Sequence, residues 1–174
     1  SFVKNLYTKR NGSDENAEEY FWNKLVGEKQ AEKPEEENLA PDFEVMDIDG
    51  NLINSEELRG KVVVLNFWFT GCGPCIGEMP ELNKLVDEFS GDVRFLALTF
   101  DPEERVKSFL EKHDFRYEIV ANEKNLGILL GIKSRPTHFV IDGSGQIRWT
   151  GHGANQDNIE RLRGMIERLL KESR

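Results

Sequence analysis

The chain has 174 residues, with 23 Lys plus Arg against 32 Asp plus Glu, for a formal net charge of −9. That length suits one domain with a short appendage, and it is long enough to bury a core. The acidic balance argues against nucleic acid, whose phosphates require clustered Lys and Arg, and no apolar run approaches the roughly 20 residues of a transmembrane helix.

Residues 1–38 are polar, with nine acidic and six basic side chains, so part of the negative charge belongs to this stretch alone. Asn11-Gly12-Ser13 is turn-like. A charged run from Glu28 to Glu37 is broken by Pro34, and Glu35-Glu36-Glu37 repels itself into an extended form. Ala17, Tyr20, Phe21 and Leu25 share one helical face, which predicts a short helix docked on its own domain. A disordered tether and a partner-docking helix are the alternatives. The chain opens at Ser1 without Met and reads as a processed or truncated product, so its start says nothing about a signal peptide, a lipid anchor or the compartment. The boundary is expected near residue 38, with a polar extension or tether at 1–38 and a folded domain at 39–174.

From Leu39 the pattern is that of an α/β domain. Phe43–Met46 alternates, Asp49-Gly50 turns the chain and Leu52-Ile53 returns, which is a hairpin signal. Ser55–Arg59 reads as one helical turn ended by Gly60. Lys61–Phe67 is a nearly continuous apolar run, suited to a strand buried on both faces. A helix is predicted from Cys72 to Phe89, kinked at Pro80. Val93–Phe100 is a second apolar strand. Asp101-Pro102-Glu103-Glu104 then opens a helix to His113, with Asp101 as the cap. Tyr117–Val120 is a short strand and Glu123–Leu130 a helix stopped by Gly131. Thr137–Ile141 and Gln146–Thr150 are strands joined by a turn at Asp142–Gly145. A last helix runs from Asn155 to Lys171. The order β-β-β-α-β-α-β-α-β-β-α predicts a mixed sheet with helices on both faces.

The two cysteines, Cys72 and Cys75, have no distant partner. A bond between them closes almost no loop and adds little stability, so chemistry is the better reason for the pair. They stand where a buried strand ends and a helix begins, in Phe67-Trp68-Phe69-Thr70-Gly71-Cys72-Gly73-Pro74-Cys75. Free N–H groups and the positive end of the macrodipole stabilise a thiolate there, pulling Cys72 below the free value of about 8.5. Cys72 is then the attacking sulfur and Cys75, facing inward, resolves the mixed disulfide. Zinc is the competing reading, but it needs two more ligands, and His113, His138 and His152 are scattered. Two inert core cysteines are the other.

Residues 66–80 resemble the active-site region of TlpA/ResA-type thioredoxin-like proteins, within the AhpC/TSA-redoxin superfamily. Arg135-Pro136-Thr137-His138-Phe139-Val140-Ile141-Asp142 resembles their cis-proline segment, and Ala40-Pro41-Asp42-Phe43 with the hairpin resembles their N-terminal extension. The resemblance spans about residues 39–171. It implies a thioredoxin-like fold with a mixed central sheet flanked by helices and an N-terminal β-hairpin extension. It assigns Cys72 as the exposed nucleophile, Cys75 as the resolving thiol and Pro136 as the cis-proline against the disulfide. The backbone of Arg135 would pair with substrate strand to strand, beside Trp68 and Gly71. Glu78 matches an acidic residue that takes or gives the proton of Cys75, the alternative being a solvated helix residue.

Three positions depart from the pattern. Gly71 replaces a common aromatic, which predicts a loss of apolar surface and a wider or shifted access route. Asn66 stands where thioredoxins proper carry a buried Asp, which leaves Glu78 as the better proton carrier. Arg135 precedes the proline where small or apolar residues are usual; its charge favours a thiolate or selects an acidic partner. His138 is expected to be a packed or surface histidine, with a place near the thiols as the alternative.

The intervening Gly73-Pro74 is the thioredoxin dipeptide, and thioredoxin sits near about −270 mV against about −120 mV for an oxidant such as DsbA. The expected activity is therefore thiol–disulfide oxidoreduction in the reducing direction. The Cys72–Cys75 disulfide is the only redox group expected, with no cofactor and no metal. Partners are expected to be disulfide-bearing proteins and an upstream thiol donor, soluble or membrane-embedded, acting on a monomer in the periplasm or cell envelope. A peroxiredoxin-like peroxidase and a Sco-like metal carrier are the alternatives. The first wants a Pro-x-x-x-Thr-x-x-Cys pattern and the second a Cys-x-x-x-Cys spacing, and neither is present.

Overall fold

The computed structural model describes residues 38–173. The helix expected between Ala17 and Leu25, and the 1–38 segment apart from Asn38, lie outside the described residues. The elements follow in the predicted order: β1 (Glu44–Met46), β2 (Leu52–Asn54), β3 (Val62–Trp68), α1 (Gly73–Glu88), β4 (Val93–Thr99), α2 (Glu103–Leu110), β5 (Glu118–Val120), α3 (Asn125–Leu129), β6 (Thr137–Ile141), β7 (Ile147–His152) and α4 (Gln156–Glu172).

β1 and β2 form an antiparallel hairpin, and the other strands form one mixed sheet in the order β5-β4-β3-β6-β7. β3 and β4 are parallel, as are β4 and β5, while β6 runs antiparallel to both β3 and β7. The central strand β3 is buried at every position, as its continuous apolar run requires. Side chains alternate along a strand, so β3 serves two layers. Val62, Val64 and Trp68 face a cluster built from α1, α4 and Val106 of α2. Val63, Leu65 and Phe67 face Val45 and Ile53 of the hairpin and Leu126 of α3. The hairpin also reaches the sheet edge, where the Ile48 N–H donates to the Ile119 carbonyl at 2.9 Å, covering part of β5.

Several local expectations are corrected. The single helical turn expected at Ser55–Arg59 is a run of tighter turns, with N–H groups bonding three residues back. α2 stops at Leu110, and the stretch to His113 is a turn in which Lys112 and His113 both bond the Phe109 carbonyl. α3 starts at Asn125, because the Glu123 carboxylate reaches forward to accept the Leu126 N–H at 2.7 Å. Pro80 lies within α1 without ending it.

The turn between β6 and β7 is organised by Asp142. Its carboxylate accepts from the Ser144 N–H and hydroxyl, the Gln146 N–H and the Arg148 guanidinium, at 2.6–3.1 Å. Burial alone would raise its pKa, but these bonds outweigh burial and hold it below the ordinary carboxylate value. A carboxylate depressed in the folded state adds stability above its unfolded pKa, about 3.9, and loses it as pH falls through the folded value. Asp142→Asn is therefore expected to cost on the order of 1 kcal/mol near neutral pH. In urea unfolding, that difference from the wild type should shrink steadily below about pH 4.

Candidate active site

Cys72 is the residue that ends the β3 loop and caps α1. Its backbone is extended (φ −86°, ψ 95°), and its Sγ accepts the Cys75 N–H at 3.2 Å. A sulfur in this cap position meets the unpaired N–H groups and positive dipole end of a 16-residue helix whose first turn holds no acidic side chain. Both features favour a thiolate on Cys72 once the pair is reduced. The two cysteines are joined, with an S–S distance of 2.02 Å and Cα atoms 5.2 Å apart. In this oxidised state Cys72 is not the exposed nucleophile expected: it is 3% exposed and Cys75 1%. Its sulfur is tied to Cys75 and packs with the cluster under α1, while exposed Gly71, Gly73 and Pro74 flank it.

Three polar side chains meet beneath the first turns of α1. Cys75, Glu78, Met79 and Leu82 all lie on its buried face, so the carboxyl one turn on from Cys75 points inward and not to solvent. Glu78 is 6% exposed. Opposite it, Asn66 of β3 and His138 of β6 are direct register partners. His138 Nε2 lies 2.9 Å from Glu78 Oε1, off the line of the ring N–H, so the contact is close without an aligned hydrogen bond. The Asn66 amide nitrogen stands 3.0 Å from His138 Nδ1 and 3.4 Å from Glu78 Oε1. His138 is thus neither a surface histidine nor one packed only among apolar groups.

Pro136 follows a cis peptide bond from Arg135, as the sequence resemblance implies. It is buried, and its carbonyl accepts the Gly153 N–H at 2.8 Å. The Arg135 N–H and carbonyl have no backbone partner among the described residues, leaving a free edge for an extended peptide. The Arg135 guanidinium lies 4.7 Å above the Phe100 ring. Burial lowers its pKa, and the Asp101 charge partly opposes that shift. It forms no ion pair among the described residues.

Two expectations about this rim are overturned. Trp68 does not face substrate: it is fully buried and packs on Phe109 and Phe115, with ring centroids 5.2 and 5.5 Å away. As the last residue of β3 it shares the parity of Val62 and Val64 and must point under α1. Gly71 does not leave a bare surface either. The Phe69 ring lies 3.4 Å from where a Cβ on Gly71 would be, and it stacks on Phe100 at 5.7 Å. The half-buried Phe69 thus supplies, from two positions earlier, the apolar surface absent at Gly71.

Sequence reasoning does not reach Asp101 as a site residue. Pro102, with no side-chain cap bond, occupies the cap position of α2, while Asp101 is 3% exposed and accepts the Thr70 N–H at 2.7 Å. The carboxylate ties the loop before Cys72 to the end of β4. A second tie comes from Asn83, which donates to the Asp114 carbonyl and accepts the Arg116 N–H, both at 2.9 Å, fixing the chain that carries Phe115 and Tyr117.

Comparison with known proteins places this geometry. Residues 37–150 match the AhpC/TSA family. A thiol-disulfide oxidoreductase ResA of Bacillus cereus is 35% identical over 134 residues, covering 75% of this chain and 76% of that protein. The thioredoxin-like protein YneN of Bacillus subtilis (strain 168) is 31% identical over 118 residues, covering 66% of this chain and 69% of the relative. A thiol:disulfide interchange protein of the thioredoxin family from Chlorobium tepidum TLS superposes with a TM-score of 0.65 at 26% identity, over 76% of this chain and 96% of that one. StoA from Bacillus subtilis shares the fold, with a TM-score of 0.62 at 24% identity over 73% of this chain and 97% of its own. The protein is therefore a thioredoxin-fold thiol–disulfide oxidoreductase. It belongs to the AhpC/TSA family, with ResA and YneN among its relatives.

Removing the Asp101 carboxylate leaves the Thr70 N–H without its partner. Asp101→Ala is expected to lower stability by about 1–3 kcal/mol in chemical denaturation. It should also slow the reaction of reduced Cys72 with a disulfide probe, because the loop carrying the sulfur loses its anchor. An unchanged rate would show that the loop holds its place without Asp101.

Proposed function

We propose that the protein reduces disulfides of other proteins outside the cytoplasm, cycling Cys72 and Cys75 between dithiol and disulfide without a further cofactor. The observation that carries this reading is the Cys72 sulfur seated on the N-terminus of α1, accepting the Cys75 N–H; the Arg135 backbone, without a backbone partner among the described residues, is the edge that the family resemblance assigns to substrate. In the reduced form the Cys72 thiolate attacks one sulfur of a substrate disulfide, forming a mixed disulfide and releasing a substrate thiolate. Cys75 gives its proton to Glu78 and attacks Cys72 Sγ. The second substrate thiolate leaves, and two electrons have passed from the cysteine pair to the substrate. A thiol donor, soluble or membrane-embedded, returns them. The reducing direction is supported by the Gly73-Pro74 dipeptide. The extracytoplasmic setting is supported by the TlpA/ResA resemblance and by a charged 28–38 stretch suited to a spacer.

Arg135, Phe100 and Phe69 form the rim that a substrate segment would meet: a cation with no ion pair among the described residues, over an aromatic pair. Together with Pro136, the neighbour of Arg135 in the chain, this rim takes the substrate-facing role in place of Trp68.

Two measurements test the reading. The pair should equilibrate with glutathione or dithiothreitol at a potential below about −180 mV, toward the thioredoxin range. A Cys75→Ser variant exposed to extracytoplasmic proteins should retain mixed disulfides on Cys72, identifiable by mass spectrometry. A potential above that bound would reverse the direction. Absence of trapped partners, with no insulin reduction by the wild type, would remove the activity.

A further inference from the structure

Glu78, read above as the acceptor of the Cys75 proton, is held from the sheet side by Asn66 and His138, and the three-residue contact is buried on the face of α1 that carries Cys75. His138 is 0% exposed, Asn66 1% and Glu78 6%. The amide nitrogen of Asn66 only donates, so His138 Nδ1, 3.0 Å away, accepts. With Nδ1 accepting, the ring proton sits on Nε2, on the side of Glu78. Glu78 Oε1 consequently accepts from Asn66 Nδ2 at 3.4 Å and lies 2.9 Å from His138 Nε2, close to that donor but off the line of its N–H. Glu78 Oε2 is equally buried and has no hydrogen-bond partner. One oxygen is occupied from the sheet side, and the other is left free on the helix that carries Cys75 one turn earlier.

We propose that His138, braced by Asn66, is a positioning residue that holds Glu78 Oε1 and so presents Oε2 as the acceptor for the Cys75 proton. This rests on the reading of Glu78 as the proton carrier of the resolving step. In that step the Cys75 S–H bond breaks, the proton passes to Glu78 Oε2, and the thiolate pair attacks Cys72 Sγ of the mixed disulfide. His138 keeps its own Nε2 proton and moves only into line with Oε1. The groups facing Glu78 are Cys75 on its own helix, Asn66 from β3, His138 from β6, and Tyr117 just before β5. Burial, and then the Glu78 charge, push the Tyr117 hydroxyl well above its ordinary pKa, so it stays neutral.

Ellman's reagent separates the two cysteines in the intact chain. Reduced Cys72 attacks it and releases one thionitrobenzoate, and Cys75 then resolves the adduct and releases a second. His138→Leu is expected to leave the first phase within about twofold while slowing the second about 10- to 100-fold at neutral pH. The second phase should recover only as pH rises toward the free-thiol range, about 8.5. His138→Gln, which keeps a donor, should restore most of the rate. Glu78→Gln with His138→Leu should be no slower than Glu78→Gln alone, since both act through one carboxylate. Wild-type kinetics in His138→Leu, equal slowing of both phases, or multiplying losses in the double variant would each overturn the proposal. Failure of the wild type itself to release a second equivalent would instead remove the dithiol reading on which it rests. The intact first phase serves as the folding control.

Discussion

The unpaired N–H groups at the start of α1 decide where the reactive sulfur sits. A helix end wants an acceptor, and Ser, Thr, Asp or Asn ordinarily supplies it. Here Cys72 does so, and the bond from the Cys75 N–H is the cap. The rest of the molecule fixes that helix end in space. β3 is buried on both faces and cannot shift without opening two cores. The loop from β3 to the cap is tied by Asp101, and the far side of α1 is tied by Asn83 to the chain before β5.

The layer under α1 is not built for stability alone. Asn66 Oδ1, Trp68 Nε1, Glu78 Oε2, Tyr117 Oη and His138 Nε2 are buried there without hydrogen-bond partners. Each such atom costs about 1–3 kcal/mol relative to a satisfied or apolar equivalent. The opposite layer, with Val63, Leu65, Phe67, Leu96 and Leu98, carries none of them. The orphaned polar atoms thus collect on the face that carries the only redox pair among the described residues, at a cost in stability that the opposite layer does not bear.

Much of this is legible in the sequence because it depends on local pattern. Alternation marks the hairpins, the unbroken apolar run marks the central strand, and Cys-x-x-Cys at a strand-to-helix junction marks the sulfur chemistry. Parity within β3 also turns Trp68 inward and leaves Phe69 outside, once the strand is carried one residue further. What stays hidden depends on contacts between distant segments. Asp101-Pro102-Glu103-Glu104 satisfies every local rule for a helix start, yet the Asp101 carboxylate bonds Thr70, thirty-one residues earlier in the chain. His138 looks ordinary in the sequence because nothing local to it names Asn66 as its partner. That pairing exists only through the antiparallel register of β3 and β6.

That register links the core to the chemistry. Strand side chains have a period of two, so a slip of one residue between β3 and β6 would send His138 to the opposite face, away from Glu78. The register is held by apolar burial on both sides: Val64 pairs with Val140, and Leu65 with Phe139, in layers with little or no exposure. The polar contact beneath Cys75 therefore does not have to hold itself together. Its geometry is inherited from the packing of a fully buried strand pair, which lets Glu78 keep one oxygen unpartnered without the site collapsing around it.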